Sequence, residues 1–253
     1  MAATGPNDIG IIVYAPALVS GDGRPLAVVH AMEQAFPGLR LEWTISDEGQ
    51  FVPLPRRDAW FAEQLDNEPF PLVCNGGPEN ELVTLWGFER PASLAPGGLP
   101  LFEVHASLRL NTNGIAAAGD VLEAVAEAAR AFWGHATPSE AAGDIASQTR
   151  GPHKTRVPPR GLPALKVPEE FPSPEIPHRL GWLNYWSAAA ARAIGFPDPE
   201  RDADLLSRAR RTSSGGWLVR LTDEPLDLDK PAHLDALKRT YERFPRIGGR
   251  SSS

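Results

Sequence analysis

LPLFEVHASLRLNTNGIAAAGDVLEAVAEAARAFW, residues 99–133, decides the fold. Its first part, Leu99–Leu110, alternates. Phe102, Val104, Ala106, Leu108 and Leu110 fall on one side, and Glu103, His105, Ser107 and Arg109 on the other. A period of two predicts a strand with an apolar face inward and a polar face outward. Its second part, Ile115–Trp133, keeps Ile115, Ala118, Leu122, Val125, Ala129 and Phe132 on one stripe, the period of an amphipathic helix, with Thr112 or Asn113 placed to cap it. A half-polar strand feeding a one-sided helix predicts a sheet whose apolar face is covered by helices.

The pattern extends outward from there. Ile9–Ala15 (IGIIVYA) reads as a buried strand, Arg24–Phe36 as a helix with Pro25 in its first turn, and Leu39–Ile45 as an alternating strand. That spacing predicts a crossover unit on one sheet. Asp58–Leu65 reads as a short helix, and Phe70–Asn75 and Leu82–Trp86 as strands. Eight prolines between Gly151 and Pro177 forbid helix there and predict an extended linker or strap. Beyond it, Ser187–Ile194, Asp198–Arg210 and Lys230–Phe244 read as helices and Trp217–Thr222 as a strand. The expected fold class is α+β: a mixed or antiparallel sheet with helices on one face, followed by a smaller α/β C-terminal lobe. The expected division is 1–150, a strap at 151–178, a lobe at 179–249 and a disordered tail at 250–253.

Composition narrows the function classes. A chain of 253 residues can bury a sizeable core, and its single cysteine, Cys74, excludes an internal disulfide. No apolar run reaches membrane-helix length, and MAATGPNDIG lacks the marks of a signal peptide, so the expected location is cytoplasmic, with no membrane partner. A formal net charge of −7 argues against direct binding of nucleic acid, which needs a basic face. The charge is uneven. Seven acids lie between Glu63 and Glu103 against Arg90 alone, and five bases with no acid lie between Arg150 and Lys166. An acidic field of this kind suits a basic protein partner. Asp66, Glu68, Glu79, Glu81 and Glu89 are its candidate contacts, since they sit between or beside short strands, where loops present side chains.

Catalytic patterns are sparse. The six histidines are scattered, with no helical zinc spacing, and no nucleophile elbow occurs. Gly21-Asp22-Gly23 has Leu26 where a dinucleotide loop needs its third glycine, and reads as a turn opening a helix. Asp223, Glu224, Asp227 and Asp229 place carboxylates near Lys230, but Leu228 interrupts the acid-x-Lys spacing of a nuclease centre; a helix N-terminus explains them better. No cofactor or metal is expected. An enzymatic alternative would rest on Cys74 or on the Asp223–Asp229 acids.

The C-terminal stretch from Leu180 to Gly249 carries an aromatic knot. Trp182, Tyr185 and Trp186 lie at helical spacing, Gly215-Gly216 precedes the strand at Trp217, and Leu226–His233 leads into the last helix. Gly181-Trp182, Tyr185-Trp186 and Gly215-Gly216-Trp217 resemble the C-terminal part of the immunity 52 family, and the whole chain is similar to an uncharacterised bacterial domain family related to that group. The resemblance implies an immunity protein without turnover. Members of the family are encoded beside polymorphic toxins, commonly with a restriction-endonuclease-like domain and in some cases delivered by type VI secretion. The implied partner is therefore a cognate toxin, bound and inhibited in the cytoplasm.

Overall fold

The computed structural model describes residues 7–64, 70–77, 81–150 and 157–250. Twelve strands occur among them: β1 Asp8–Pro16, β2 Trp43–Ile45, β3 Phe51–Pro53, β4 Phe70–Cys74, β5 Thr84–Arg90, β6 Leu101–Arg109, β7 Trp133–Pro138, β8 Thr149–Arg150, β9 Leu165–Lys166, β10 Leu183–Trp186, β11 Ala209–Arg211 and β12 Trp217–Arg220. The helices are α1 Arg24–Ala35, α2 Arg57–Gln64, α3 Thr112–Ala129, α4 Ser139–Ala146, α5 Ala188–Ile194, α6 Ala203–Leu206 and α7 Pro231–Arg243. Ten strands form one sheet in the order β11-β12-β10-β7-β1-β6-β5-β4-β2-β3, every neighbouring pair antiparallel. The α+β class and the antiparallel sheet are as the sequence required. β1 and β2 run in the same direction with β6, β5 and β4 between them, so β1–α1–β2 is the crossover unit that the spacing predicted.

The strand and helix of residues 99–133 form the centre. β6 pairs with β1 from Asp8↔Arg109 to Pro16↔Leu101 and with β5 on its other side. α3 lies against β1, β6, β7 and β10, and α1 packs along α3. Leu122 and Val125 are wholly buried there. Each full burial of such a side chain is worth roughly 1.5–3 kcal/mol, which is why the stripe sets where the helix sits. Asn111, rather than Thr112 or Asn113, caps the helix, its Oδ1 accepting from Gly114 N at 2.9 Å. Gly114 is required at that turn, since a Cβ would stand 1.9 Å from Arg109 O.

Four sequence expectations are corrected. First, Trp133 does not end the helix. Arg130 adopts the left-handed conformation (φ 54°), stops α3 and releases β7. Second, only Trp43–Ile45 of the expected Leu39–Ile45 strand is in the sheet. Third, Asp198–Arg210 is not one helix. Asp198 Oδ1 accepts from Glu200 N and Arg201 N, and Asp202 Oδ2 from Asp198 N, which spends the backbone in turns before the single-turn α6, and Ala209 then enters β11. Fourth, Glu103 does not face water. It is 2% exposed and ion-paired with Arg90, because the sheet's second face is covered too.

That second face carries Tyr14 stacked on Trp133 at 4.0 Å and Trp86 stacked on His105 at 4.4 Å. Trp186 meets Phe196 and Phe244 edge-on at 5.1 and 5.5 Å, which places the start of α7's following turn and the end of α5 over it. Residues 179–249 thus extend the same sheet by β10, β12 and β11. The described part of the Pro-rich strap is packed, with Leu162, Leu165, Phe171 and Ile176 all buried. Its β9 pairs with β8 in parallel.

Gly181 lets this covering segment reach the sheet. An added Cβ would lie 2.4 Å from Thr137 Oγ1 and 2.7 Å from Ala136 O, the latter backbone that cannot move aside. Asn184 holds the approach, accepting from Gly181 N at 2.9 Å and donating to Gly181 O at 3.0 Å. Gly181→Ala is expected to destabilise by about 1–3 kcal/mol, the usual range for forced overpacking, read from urea midpoints at constant slope.

A candidate partner-binding edge

The two ends of the ten-stranded sheet differ in chemistry. At one end β11 is guarded by charge: Arg210 pairs with Asp120 at 2.5 Å and with Glu123 at 2.7 Å on α3. Charged edges discourage further strand pairing. At the other end, among the described residues, β3 pairs with β2 alone, and its Phe51 and Val52 are 39% and 40% exposed. An open apolar edge strand is a template for another chain.

Local sequence explains how that edge is built. Ser46–Gln50 turns the chain, with Ser46 N donating to Gln50 O at 2.9 Å and Gly49 at φ 78°. Asp47 and Glu48 stand exposed at the tip. Behind the hairpin, Trp43 is half-buried, and the loop after β4 presses on its indole. Gly76, at φ 63°, comes so close that a Cβ would sit 2.6 Å from the ring. Asn75 organises this loop: its Oδ1 accepts from Gly77 N and Val83 N, and its Nδ2 donates to Glu81 O. Exposed Glu81 is thereby held near Trp43.

Beside the hairpin lies a hollow of about 580 Å³, with Glu42, Trp43, Leu54, Arg57 and Asp58 in its wall. Arg57 is claimed by Glu33 at 2.5 Å and Asp58 at 2.8 Å. Burial works against ionisation of Asp58, but Arg57 and His30 outweigh it and hold its pKa below the ordinary value. The edge is therefore apolar in the middle, with Glu42, Asp47, Glu48 and Asp58 near it and the exposed Arg56 standing among them in the wall of the hollow.

The structure only partly assembles the five predicted acids. Asp66, Glu68 and Glu79 lie outside the described residues. Glu81 belongs to the edge. Glu89 is exposed at the opposite end of β5, where its Oε1 accepts from Leu18 N at 3.0 Å. At about 3.4 Å per residue, the five steps of β5 from Thr84 to Glu89 put roughly 17 Å of strand between the two ends. Glu42, Asp47, Glu48 and Asp58 were missed; the Ser46–Gly49 turn followed by Phe51-Val52 is the hairpin signal that could have found them.

The aromatic knot is structural. Trp182 Nε1 donates to Thr222 O at 2.9 Å, Tyr185 OH donates to Glu127 Oε1 on α3 at 2.8 Å, and Trp186 is fully buried. The expected helix does not form: Tyr185 and Trp186 lie on a strand, β10, and Trp182 immediately precedes it. Trp217 meets Phe196 edge-on at 5.3 Å. Gly215 turns the chain at φ 87°, and Gly216 passes so close to Trp186 O that a Cβ would stand 2.6 Å away.

The residues of the enzymatic alternative are dispersed. Cys74 is buried on β4, and burial pushes its thiol pKa up, away from a reactive thiolate. Glu224 pairs with Lys230 at 2.5 Å, Asp229 pairs with Arg160 at 2.7 Å, and Asp227 Oδ1 accepts from Asp229 N. Among the described residues no three acids, histidines or cysteines are grouped to hold a metal ion. No described helix is long and apolar enough to cross a membrane.

Comparison with known proteins places this geometry in context. A family described as Domain of unknown function (DUF5953) matches residues 20–252. Among solved structures, the chain is similar to the Pseudomonas aeruginosa T6SS protein PA0821, with 18% identity and a TM-score of 0.53, over 96% of this chain and 78% of that one. At that identity the likeness is one of fold. No curated protein matches the chain.

Proposed function

The chain belongs to the DUF5953 family, and on that footing we propose that it is an immunity protein that binds and neutralises a co-encoded, nuclease-like toxin of a type VI secretion setting. The observation that carries this reading is the β3 edge, unpaired beyond β2 among the described residues, where Phe51 and Val52 are part-exposed and Asp47 and Glu48 stand exposed at the adjoining turn. A nuclease must grip phosphate and so presents a basic face; an anionic rim steers it, and an apolar centre holds it. Inhibition by such docking needs no turnover, cofactor, nucleic acid or membrane. Two further points support the reading. The fold likeness is to a protein titled as a type VI secretion protein. The residues that carry the resemblance to the immunity 52 family, Gly181, Trp182, Trp186 and Gly216 among them, hold the scaffold together here.

Charge reversal tests the steering role. Changing Asp66, Glu68, Glu79, Glu81 and Glu89 to lysine is expected to slow association with the toxin by about tenfold or more at low salt and to flatten its salt dependence, with folding intact. The same reversal of Asp47, Glu48 and Asp58 is expected to act at least as strongly. Stopped-flow association rates unchanged in both sets would leave the acids as a solvated surface only.

A further inference from the structure

The sheet face opposite α1 and α3 holds a polar recess that the docking edge does not use. β1 crosses it between β6 and β7, and the cross-strand pairs place Ser107, Gly10 and Thr137 in one row and His105, Ile12 and His135 in the next. Gly10 has no side chain to fill its row. A Cβ built there would find only Thr137 O within 4 Å, at 3.8 Å, so the space above it is open.

Several polar atoms on this face and in the segment over it have no partner among the described residues. His135 is 5% exposed; its Nδ1 bonds to Thr137 Oγ1 at 3.0 Å, and its Nε2 has no hydrogen-bond partner. Ser107 Oγ and Arg179 Nε are buried and unpartnered as well. His105 Nε2 is 3.4 Å from Glu103 Oε2 without hydrogen-bond geometry. Buried donors of this kind are ordinarily satisfied, and leaving one empty costs roughly 1–3 kcal/mol.

The charge is one-sided. Glu103 is already taken by Arg90. Among the described residues no carboxylate lies within ion-pair distance of Arg179, whose one hydrogen-bond contact is Nη2 with His178 Nδ1 at 3.4 Å. The Arg179 segment is fixed over the sheet by Leu180 N donating to Tyr241 OH at 3.1 Å and by the Gly181–Asn184 pair. After burial itself, the positive charge of Arg179 is the next cause holding both His135 and His178 down at about 3, which records a positive local field.

We propose that this recess is a binding site for one small oxyanion, a carboxylate or phosphate group, held by Arg179 Nε–H, Ser107 O–H and the Nε2–H tautomer of His135. Each donor is the type that forms charge-assisted bonds to such a group. The site lies on the sheet face at β6, β1 and β7, away from the β3 edge, and stands or falls apart from the toxin-binding reading.

The test uses the full chain at pH near 7.5. Inorganic phosphate and acetate are titrated in separate arms, with sodium chloride at matched ionic strength as reference, and thermal midpoint and histidine ¹⁵N shifts are followed. Saturable stabilisation above the chloride arm is expected, with the His135 Nε2 resonance moving on the same curve and exposed His30 unmoved. The arm that saturates identifies the group: phosphate alone, or carboxylate as well. Arg179→Gln is expected to weaken apparent affinity by roughly tenfold or more, the loss of one charge-assisted bond. Ser107→Ala, a smaller change, is expected to weaken it with folding unaltered. No saturation beyond chloride in either arm, or equal response in Arg179→Gln and Ser107→Ala, would mean that the recess holds water only.

Discussion

Trp182→Ala is expected to lower unfolding free energy by about 3–5 kcal/mol, the range for large-to-small changes at buried aromatics. Trp182 is 2% exposed, and its indole N–H is the donor to Thr222 O. Truncation opens a cavity and strips a buried carbonyl of its partner, so the two costs act together. The backbone carbonyl of Trp182 accepts from Leu221 N at 2.9 Å, tying the start of β10 to the segment after β12, and alanine keeps that bond, so the loss is that of the side chain. Chemical denaturation reads the effect directly. A Trp182→Ala protein with wild-type stability that no longer bound a partner would turn the knot into an interface and contradict its placement in the core.

Acid is expected to destabilise the fold well before its carboxylates titrate. His135 and His178 are buried on the second sheet face, and burial first, then Arg179, pushes both pKa values down to about 3. In the unfolded chain each returns to about 6.5. Between those values the unfolded state binds more protons, so stability is complete above about pH 6.5 and falls as pH drops toward about 3. At about pH 5 each histidine costs roughly 2 kcal/mol, or roughly 4 kcal/mol for the pair. Arg90 and His105 add positive charge nearby and act in the same direction. Urea midpoints at about pH 7.5 and about pH 5 measure this. His135→Gln should shrink the difference between them by roughly 2 kcal/mol. An equal difference in that variant would show that His135 charges freely in the folded state.

Most of the fold was legible because the central elements have clean periods. The alternation in β6 and the stripe of α3 each reported which residues share the face between sheet and helix. Legibility failed where residue type and environment part company. β7 reads Trp-Gly-His-Ala-Thr-Pro, with little strand propensity, yet it lies between β1 and β10 and is buried throughout. Pairing on both sides overrides propensity there. Gly134 is there because β1 presses close, a Cβ standing 2.5 Å from Val13 Cγ1, a constraint that no local pattern announces. Glu103 was read as outward because alternation reports only which residues share a face, and not that Arg90 waits on the next strand to neutralise it.

The candidate site was less legible. Acidity was visible as a count along the chain, but a count does not separate Glu81 at the β3 end from Glu89 at the other end of β5. The edge itself depends on β3, a three-residue strand too short for a period, flanked by a turn whose acids lie outside the counted stretch. The glycines and tryptophans behind the immunity 52 resemblance proved to be scaffold residues, so they mark the fold and leave the contact surface to be found from exposure and charge.

The central claim is toxin binding through the open edge, and calorimetric titration of the purified chain with the toxin domain encoded by its neighbouring gene tests it most directly. Wild-type protein is expected to bind one-to-one with nuclease activity lost in step. Val52→Lys, which sets a charge on the exposed edge strand, is expected to weaken binding by about 2 kcal/mol or more, the cost typical of a lost central contact, with the melting temperature kept. No heat and undiminished nuclease activity with the wild-type chain, or full affinity in Val52→Lys, would contradict the account.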